Sequence, residues 1–437
     1  MFNSIRNAFK VKELRGKLIF TFLMLVVIRF GSQLPVPGVK TDFFAKWFEN
    51  QTADVFGFFN AMTGGSFEQL SIFALSITPY ITSSIIMQLL TIAVPALEEM
   101  HKDEDGRKRI QKYTRYVTVG LALVQSGAMA IGFGRQGLLV NYNAWSVIVA
   151  VSTMTCGSAL LMWIGERITE HGVGNGISIV LLFNIVSSMP SDFRNLFYEF
   201  IFGQTVPVAA LRLLIVVAVI LAMVIFVIVL NDAQRNIPVQ YSKKMVGRKL
   251  VGGQASSIPL KVNTAGVLPV IFASSIMSFP VVISQFFSVD SSSIGGKILM
   301  TLNSGNWCKP DQPVYSIGLI IYIVLIVMFA YFYTSIAFNP LEVANNMKKQ
   351  GGFIPGIRPG KPTSDYLNKI LNYLVFIGAI GLIIVCVVPI ICSGVFGMSR
   401  LSFSGTSLII IVAVVLETIK AIESQMLVRY YKGFLND

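Results

Sequence analysis

The chain has 437 residues, of which 54% are hydrophobic and 13% charged, with a mean hydropathy of +0.68. Soluble domains carry about 25% charged residues, so this composition excludes a soluble globular fold and defines a polytopic membrane protein. The net charge of +13 is spread over short loops between apolar runs rather than gathered on one compact module, so its placement says more than its sum.

Residues 1–17 set Phe2, Ile5 and Phe9 at helical spacing among Arg6, Lys10 and Lys12, the pattern of a helix lying on a membrane surface. The apolar run Leu18 to Phe30 follows this basic flank as in a signal peptide, but continues through Arg29 into GSQLPVPGV with no small-residue cleavage site. It reads as a first, retained span. Residues 40–70 are irregular and end in NAMTGGSFEQL, either an external loop or a short piece folded back into the bundle. Span two, Ser71 to Leu90, is SIFALSITPYITSSIIMQLL. It is long enough to cross a bilayer, but Pro79 removes a backbone donor and clashes one turn back. The stretch reads as a broken spanning helix, with Thr78, Thr82, Ser83 and Ser84 placed to satisfy the freed groups.

The charged run 98–115 reads as a solvated loop. Spans three and four follow at about Val117–Phe133 and Trp145–Ile164, a glycine-rich connection 166–176 leads into span five at Ile177, and span six, Leu213–Leu230, has no polar side chain. Loop 231–263 sets six cations against the single acid Asp232. Span seven, Ala265–Ser284, is interrupted by Pro269 and Pro280, and an external loop at about Ser288–Pro313 leads to span eight, Val314–Phe338. Loop 339–369 is basic and rich in Gly and Pro; spans nine and ten are Ile370–Ile391 and Ser407–Ile422.

Spans two and seven are each second in a group of five. Matched discontinuous helices point to two structural repeats with a functional site at their interface; an ordinary pair of kinked, well-packed helices is the plainer alternative. The chain divides into an N-terminal segment 1–17, halves 18–190 and 191–425, and a tail 426–437. With both termini inside, the cytoplasmic segments hold 26 of the 35 Lys and Arg residues and the external loops 8, so the positive-inside rule sets both termini in the cytoplasm.

No nucleophile elbow, HExxH, P-loop or paired intramembrane carboxylates occur, and His101 and His171 fall in loops. Cys156, Cys386 and Cys392 read as small packing residues and Cys308 as a loop thiol, without metal-ligand or disulfide spacing. An enzyme, a metal site or a cofactor is therefore not expected. Ion-coupled transporters need ionisable groups inside their spans, whereas Arg29, Glu166, Glu417 and Glu423 fall toward span ends. The broken spans are lined with Ile, Val, Ser and Thr, and an aliphatic constriction suits a gate that closes by dewetting. The two basic loops fit either positive-inside bias with contact to anionic lipids or a docking surface for a cytosolic partner such as ribosomal RNA.

The segments LPVPGV, SIFALSITPYITSSIIMQLL, GVGNGISI, PLKVNTAGVLPVIFASSIMSFP, FNP followed by GGFIPGIRPGKPT, and FSGTSLII closely resemble the SecY family, in order and over essentially the whole chain. The resemblance implies an all-α clamshell: ten transmembrane helices in two inverted, pseudo-symmetric halves of five. Its implied function is a protein-conducting channel that passes unfolded secretory polypeptides and releases transmembrane segments laterally into lipid.

The same resemblance implies a pore ring of Ile77 and Ile81 in span two, Ile177 and Leu181 in span five, Ile271 in span seven, and Val385 as the span-ten member. Leu181 and Val385 depart from the family's frequent isoleucine but stay aliphatic. A lateral gate would hold Ile85, Gln88, Ser274 and Ser275. A plug at 60–70 would include Asn60, Met62, Gly64, Gly65, Phe67 and Leu70. Arg358 matches a position needed for the SecA ATPase, and Arg235, Lys243, Lys244, Arg248, Lys249, Lys348 and Lys349 lie in the loops that would meet SecA or the ribosome. Leu341 stands where many relatives carry a basic residue. SecE-like and SecG-like membrane subunits, signal-sequence-bearing polypeptides and a bacterial cytoplasmic membrane complete the implied setting. A solute transporter with inverted repeats and an insertase using only the lateral gate are the competing functions.

Overall fold

The computed structural model describes residues 9–40, 62–134, 137, 139–200, 206–241, 244–246, 249–251, 255–284, 293–303, 306–308, 313–396 and 405–433. In chain order the first half contains α1 (Lys12–Ser32), α2 (Thr78–Ala93), α3 (Pro95–Lys102), α4 (Glu104–Gly134), α5 (Ala144–His171) and α6 (Gly176–Phe200). The second contains α7 (Val206–Asp232), strands β1 (Gln234–Tyr241), β2 (Lys244–Val246), β3 (Lys249–Val251) and β4 (Ala255–Lys261), and helices α8 (Leu268–Ser284) and α9 (Ile294–Leu302). It closes with α10 (Ile317–Ala337), α11 (Pro340–Lys349), β5 (Gly352–Phe353), α12 (Lys361–Phe396) and α13 (Gly405–Gly433).

A helix thus runs through each of the ten expected spans, although spans two and seven begin outside it. Among the described residues, five helices are long and apolar enough to cross a bilayer alone, and six if the α2–α3 pair, bent by 108°, counts as one. The apolar stretches of α6 and α8, Gly176–Pro190 and Leu268–Met277, are shorter.

Three sequence expectations change. Span two is not a helix broken at Pro79: residues 64–77 form turns, and the helix begins at Thr78, with Pro79 its second residue. A proline there forfeits no hydrogen bond, because the first N–H groups of any helix lack internal partners. The hydroxyls accordingly repair no break. Thr82 Oγ1 returns to the carbonyl of Thr78 at 3.1 Å, and Ser83 Oγ ties α2 to α4 through the carbonyl of Thr114 at 2.7 Å. Residues 98–115, read as a loop, are largely helical in α3 and the start of α4. The external connection before span eight carries α9, capped by Ser293 Oγ accepting from the N–H of Gly296 at 3.1 Å. Beyond α9, Trp307 is buried against Tyr322.

The two basic loops fold together. β1 pairs antiparallel with β4 along its length and with β5 at Gln240 and Tyr241, joining segments from both loops in one sheet. Ile237, Val239 and Leu260 of that sheet pack on Met347, Ile354 and Leu367, a core that is distinct from the main cluster and continues onto α12 through Ile370 and Leu374.

Inside lipid, association of helices gains little from burial as such, so close approach decides packing. A Cβ on Gly31 of α1 would overlap the Phe73 ring, and one on Gly157 of α5 the carbonyl of Ile72. These two glycines admit residues 72–73 between their helices. The largest apolar cluster spans both halves, from Ile28, Phe73 and Ile77 to Ile326, Val385 and Ile409.

Candidate functional site

The starts of α2 and α8 match residue for residue. Ser76 at φ 51 and Gly266 at φ 63 each lie two residues before their helix, and Pro79 and Pro269 are each its second residue. Ile81 and Ile271 therefore occupy one place in the two halves, two residues beyond the proline. Both are buried in the cluster that joins the halves.

The other ring candidates meet them there. Ile77, Leu181 and Val385 are buried in the same cluster, Ile77 and Val385 at 0% exposure, and Ile177 packs on its edge. Gly165 of α5 lies against both Ile77 and Ile177, which sets those two side chains beside each other. Ile177 is aimed by the tight GVGNG connection: Gly174 takes φ 70, and Asn175 Oδ1 accepts the N–H groups of Ile177 and Ser178 at 3.1 and 3.4 Å. One assignment is corrected. Val385 lies on α12, the ninth span, and the tenth span, α13, contributes Leu408, Ile409 and Ile410 to the cluster.

Of the gate candidates, Ile85 is half-buried and packs on that cluster, Gln88 is exposed, and Ser274 and Ser275 are half-buried. Ser274 Oγ is used within its own helix, on the carbonyl of Val270 at 2.6 Å. Among the described residues α2 and α8 share no broad interface: α2 packs on α4, and α8 on α10.

Residues 62–77 fold back among the helices, as the second reading of this stretch expects. An antiparallel bridge fastens them, with Val36 N–H donating to Leu70 O and Ile72 N–H to Leu34 O, both at 2.9 Å. Met62, Phe67 and Leu70 are buried, the first in the main cluster and the others in a second core with Val36, Phe133 and Met154. Gly64 and Gly65 take φ 66 and 81, which their lack of a Cβ permits. Asn60 lies outside the described residues.

On the extramembrane sheet and the segments beside it, Arg235, Lys348, Lys349 and Arg358 are all exposed. The Arg358 turn is fixed by Thr363 Oγ1 donating to its carbonyl at 2.8 Å. Lys244 and Lys249 stand on β2 and β3, while Lys243 and Arg248 lie outside the described residues. Glu166 pairs with Arg115 at 2.8 Å, tying α5 to α4. Cys386 is buried, but Cys156, expected to pack, is exposed on α5; the Cys392 side chain lies outside what is described. Among the described residues no three His, Cys, Asp or Glu side chains gather where a metal ion could be held.

Sequence reasoning missed a polar group beside the ring. Asn184, a lone amide in the apolar run of α6, is buried and bonded to Ser76 and to the carbonyl of Met62. Its signal was present: an amide inside a span is costly unless satisfied.

The described residues thus form an all-α polytopic membrane bundle whose two halves begin a helix alike and share one aliphatic cluster. A SecY family model matches residues 71–419. The chain is 42% identical to the protein translocase subunit SecY of Corynebacterium glutamicum, over 99% of this chain and 100% of that one. Two solved structures share its fold at 17% identity, each covering 94% of this chain and 92% of the other. One is described as a protein conducting channel, TM-score 0.62, and the other as a SecY protein whose plug domain stabilizes the closed state, TM-score 0.60. The chain belongs to the SecY family.

Proposed function

We propose that the chain is the pore-forming subunit of a bacterial protein-conducting channel, with Ile77, Ile81, Ile177, Leu181 and Ile271, flanked by Val385 and the α13 residues Leu408–Ile410, as the constriction. The observation that carries this reading is the single aliphatic cluster to which equivalent isoleucines of α2 and α8 both contribute. Apolar side chains at a narrow point exclude water and ions by dewetting and hold no polar group that would bind a passing polypeptide. Residues 60–70 act as the plug, and Ile85, Gln88, Ser274 and Ser275 line a gate between α2 and α8. The lack of a broad interface between those two helices among the described residues supports a seam that parts without dismantling a packed interface.

In this reading both termini are cytoplasmic, so the sheet of β1, β4 and β5 faces SecA or the ribosome. Arg235, Lys348, Lys349 and Arg358 offer cations to that partner, and Lys243, Lys244, Arg248 and Lys249 extend the same basic surface. SecE-like and SecG-like subunits complete the complex, anionic lipid surrounds it, and the driving force comes from the partner rather than from chemistry on this chain.

Site-specific crosslinking from Ile81 and Ile271 to a stalled secretory polypeptide tests the pore. Crosslinks from both positions are expected. Silence at both, with the polypeptide demonstrably engaged by SecA, would move the path elsewhere.

A further inference from the structure

Residues 62–76 are held by polar groups that an aliphatic constriction does not require. Asn184, 5% exposed, donates from Nδ2 to the carbonyl of Met62 at 3.2 Å and to Ser76 Oγ at 3.1 Å. Ser76 Oγ donates to the same Met62 carbonyl at 3.3 Å. From the last turn of α1, Arg29 Nη1 donates to the carbonyl of Gly64 at 3.1 Å. A Cβ on Gly64 would stand 3.0 Å from the carbonyl oxygen of Asn184, so only glycine brings this segment so close to α6.

Buried amides and charged groups persist where partners satisfy them. Here the partners are two backbone carbonyls, two residues apart, and the donors come from two different spans of the first half. We infer that Arg29 and Asn184 form a latch that holds the plug by its main chain and sets how often the resting channel opens. This rests on reading residues 60–70 as a plug. Because the acceptors are carbonyls, the latch is indifferent to plug side chains; Phe67 and Leu70 grip separately, through the second core. Arg29, as a charged donor, makes the stronger of the two contacts. Both residues position the plug and neither needs to touch the moving polypeptide.

The test compares channel complexes purified from their own membranes, in planar bilayers, for resting ion conductance. In a Phe67→Cys background whose native cysteines are replaced by serine, it also reads the rate at which a membrane-impermeant maleimide labels the plug. Asn184→Leu removes both amide donors, Arg29→Gln removes the charge, and Arg29→Lys keeps a charged donor. Asn184→Leu and Arg29→Gln should each raise conductance and labelling about tenfold, the equilibrium equivalent of one lost hydrogen bond. The double variant should exceed either, and Arg29→Lys should stay near the parent. A channel lacking residues 62–69 separates the two ideas. If it conducts no more than the parent, the plug reading falls. If it leaks while Asn184→Leu and Arg29→Gln do not, the plug reading stands and the latch is overturned. Equal leak from Arg29→Lys and Arg29→Gln would also overturn the charged-donor half of the latch.

Discussion

The two halves of the chain start their second span in the same way and then add to it at different places. In both, a residue of positive φ, a proline at the second helical position and a buried isoleucine follow at identical spacing. In the second half the turn residue is Gly266, with nothing within 4 Å of where a Cβ would stand. In the first half it is Ser76, whose left-handed conformation costs a side-chain-bearing residue about 1–2 kcal/mol. That strain is offset by bonds to Met62 and from Asn184, and by Ser158 Oγ donating to the Ser76 carbonyl at 3.1 Å. Ser76 and Asn184 also hold the carbonyl of Met62, while Arg29 holds that of Gly64. The second half instead elaborates its connections outside the membrane, building the sheet of β1, β4 and β5. In the proposed reading, one half thus carries the seal and the other the docking surface, on a shared helical frame.

The shared frame is broken most severely at the ring. Ile81→Asn with Ile271→Asn places two amides in an apolar cluster, where each unsatisfied group costs about 1–3 kcal/mol. Wetting the constriction should raise resting ion conductance by about one to two orders of magnitude and relax signal-sequence selectivity. Unchanged conductance would remove both residues from the constriction. If only one single variant leaked, the equivalence of the two isoleucines would be refuted.

The division of labour is sharpened by Arg358→Glu. Replacing an exposed cation by an anion on the docking side should cut SecA-driven export several-fold, by about 1–2 kcal/mol of lost and reversed contact at an interface, and ribosome-coupled insertion less. Resting conductance should not change, since Arg358 touches nothing near the plug. Equal loss of both transport modes together with a leak would show that the two halves are not separable in this way.

A smaller effect tests the paired turns. Ser76→Ala and Ser76→Gly lose the same hydroxyl, but only alanine retains the strain, so the glycine variant should be the more stable by about 1 kcal/mol. Gly266→Ala meets no neighbour and should cost about the same 1 kcal/mol, from backbone conformation alone. Thermal unfolding of the three variants in detergent reads the differences. If Ser76→Ala and Ser76→Gly melt together, the strain assigned to Ser76 is absent.

Much of the frame was legible because apolar runs and their charged interruptions mark spans directly. The helix starts were not. Pro79 and Pro269 look in sequence like breaks inside a helix, and only the positive φ at Ser76 and Gly266 shows that they begin one. The ring came from resemblance, which gives Val385 as a span-ten member although hydropathy already places it in the apolar run of span nine. Hydropathy cannot fix the facing side of a helix that is apolar all round. Asn184 was visible as an isolated amide, but its acceptors are carbonyls, which leave no mark in a sequence. The sheet was hidden for a related reason: β5 is two residues long and finds its partner β1 across four intervening α-helices.

The least perturbing test uses a native residue of the second half's external elaboration. Cys308 follows the buried Trp307, and its N–H donates to Ser316 Oγ at 3.1 Å, so the thiol is held in a folded turn. Burial pushes that thiol's pKa up from its ordinary value. Maleimides react with the thiolate, so a raised pKa lowers the reactive fraction at neutral pH. The rate should climb with pH and level off later than for a free cysteine. An impermeant maleimide added outside intact cells should therefore label Cys308 slowly near neutrality, faster in alkaline buffer, and at the ordinary rate after unfolding. Rapid labelling at neutral pH would mean that the turn after α9 is not closed. Labelling only from the cytoplasmic side would reverse the orientation on which the separation of seal and docking surface depends.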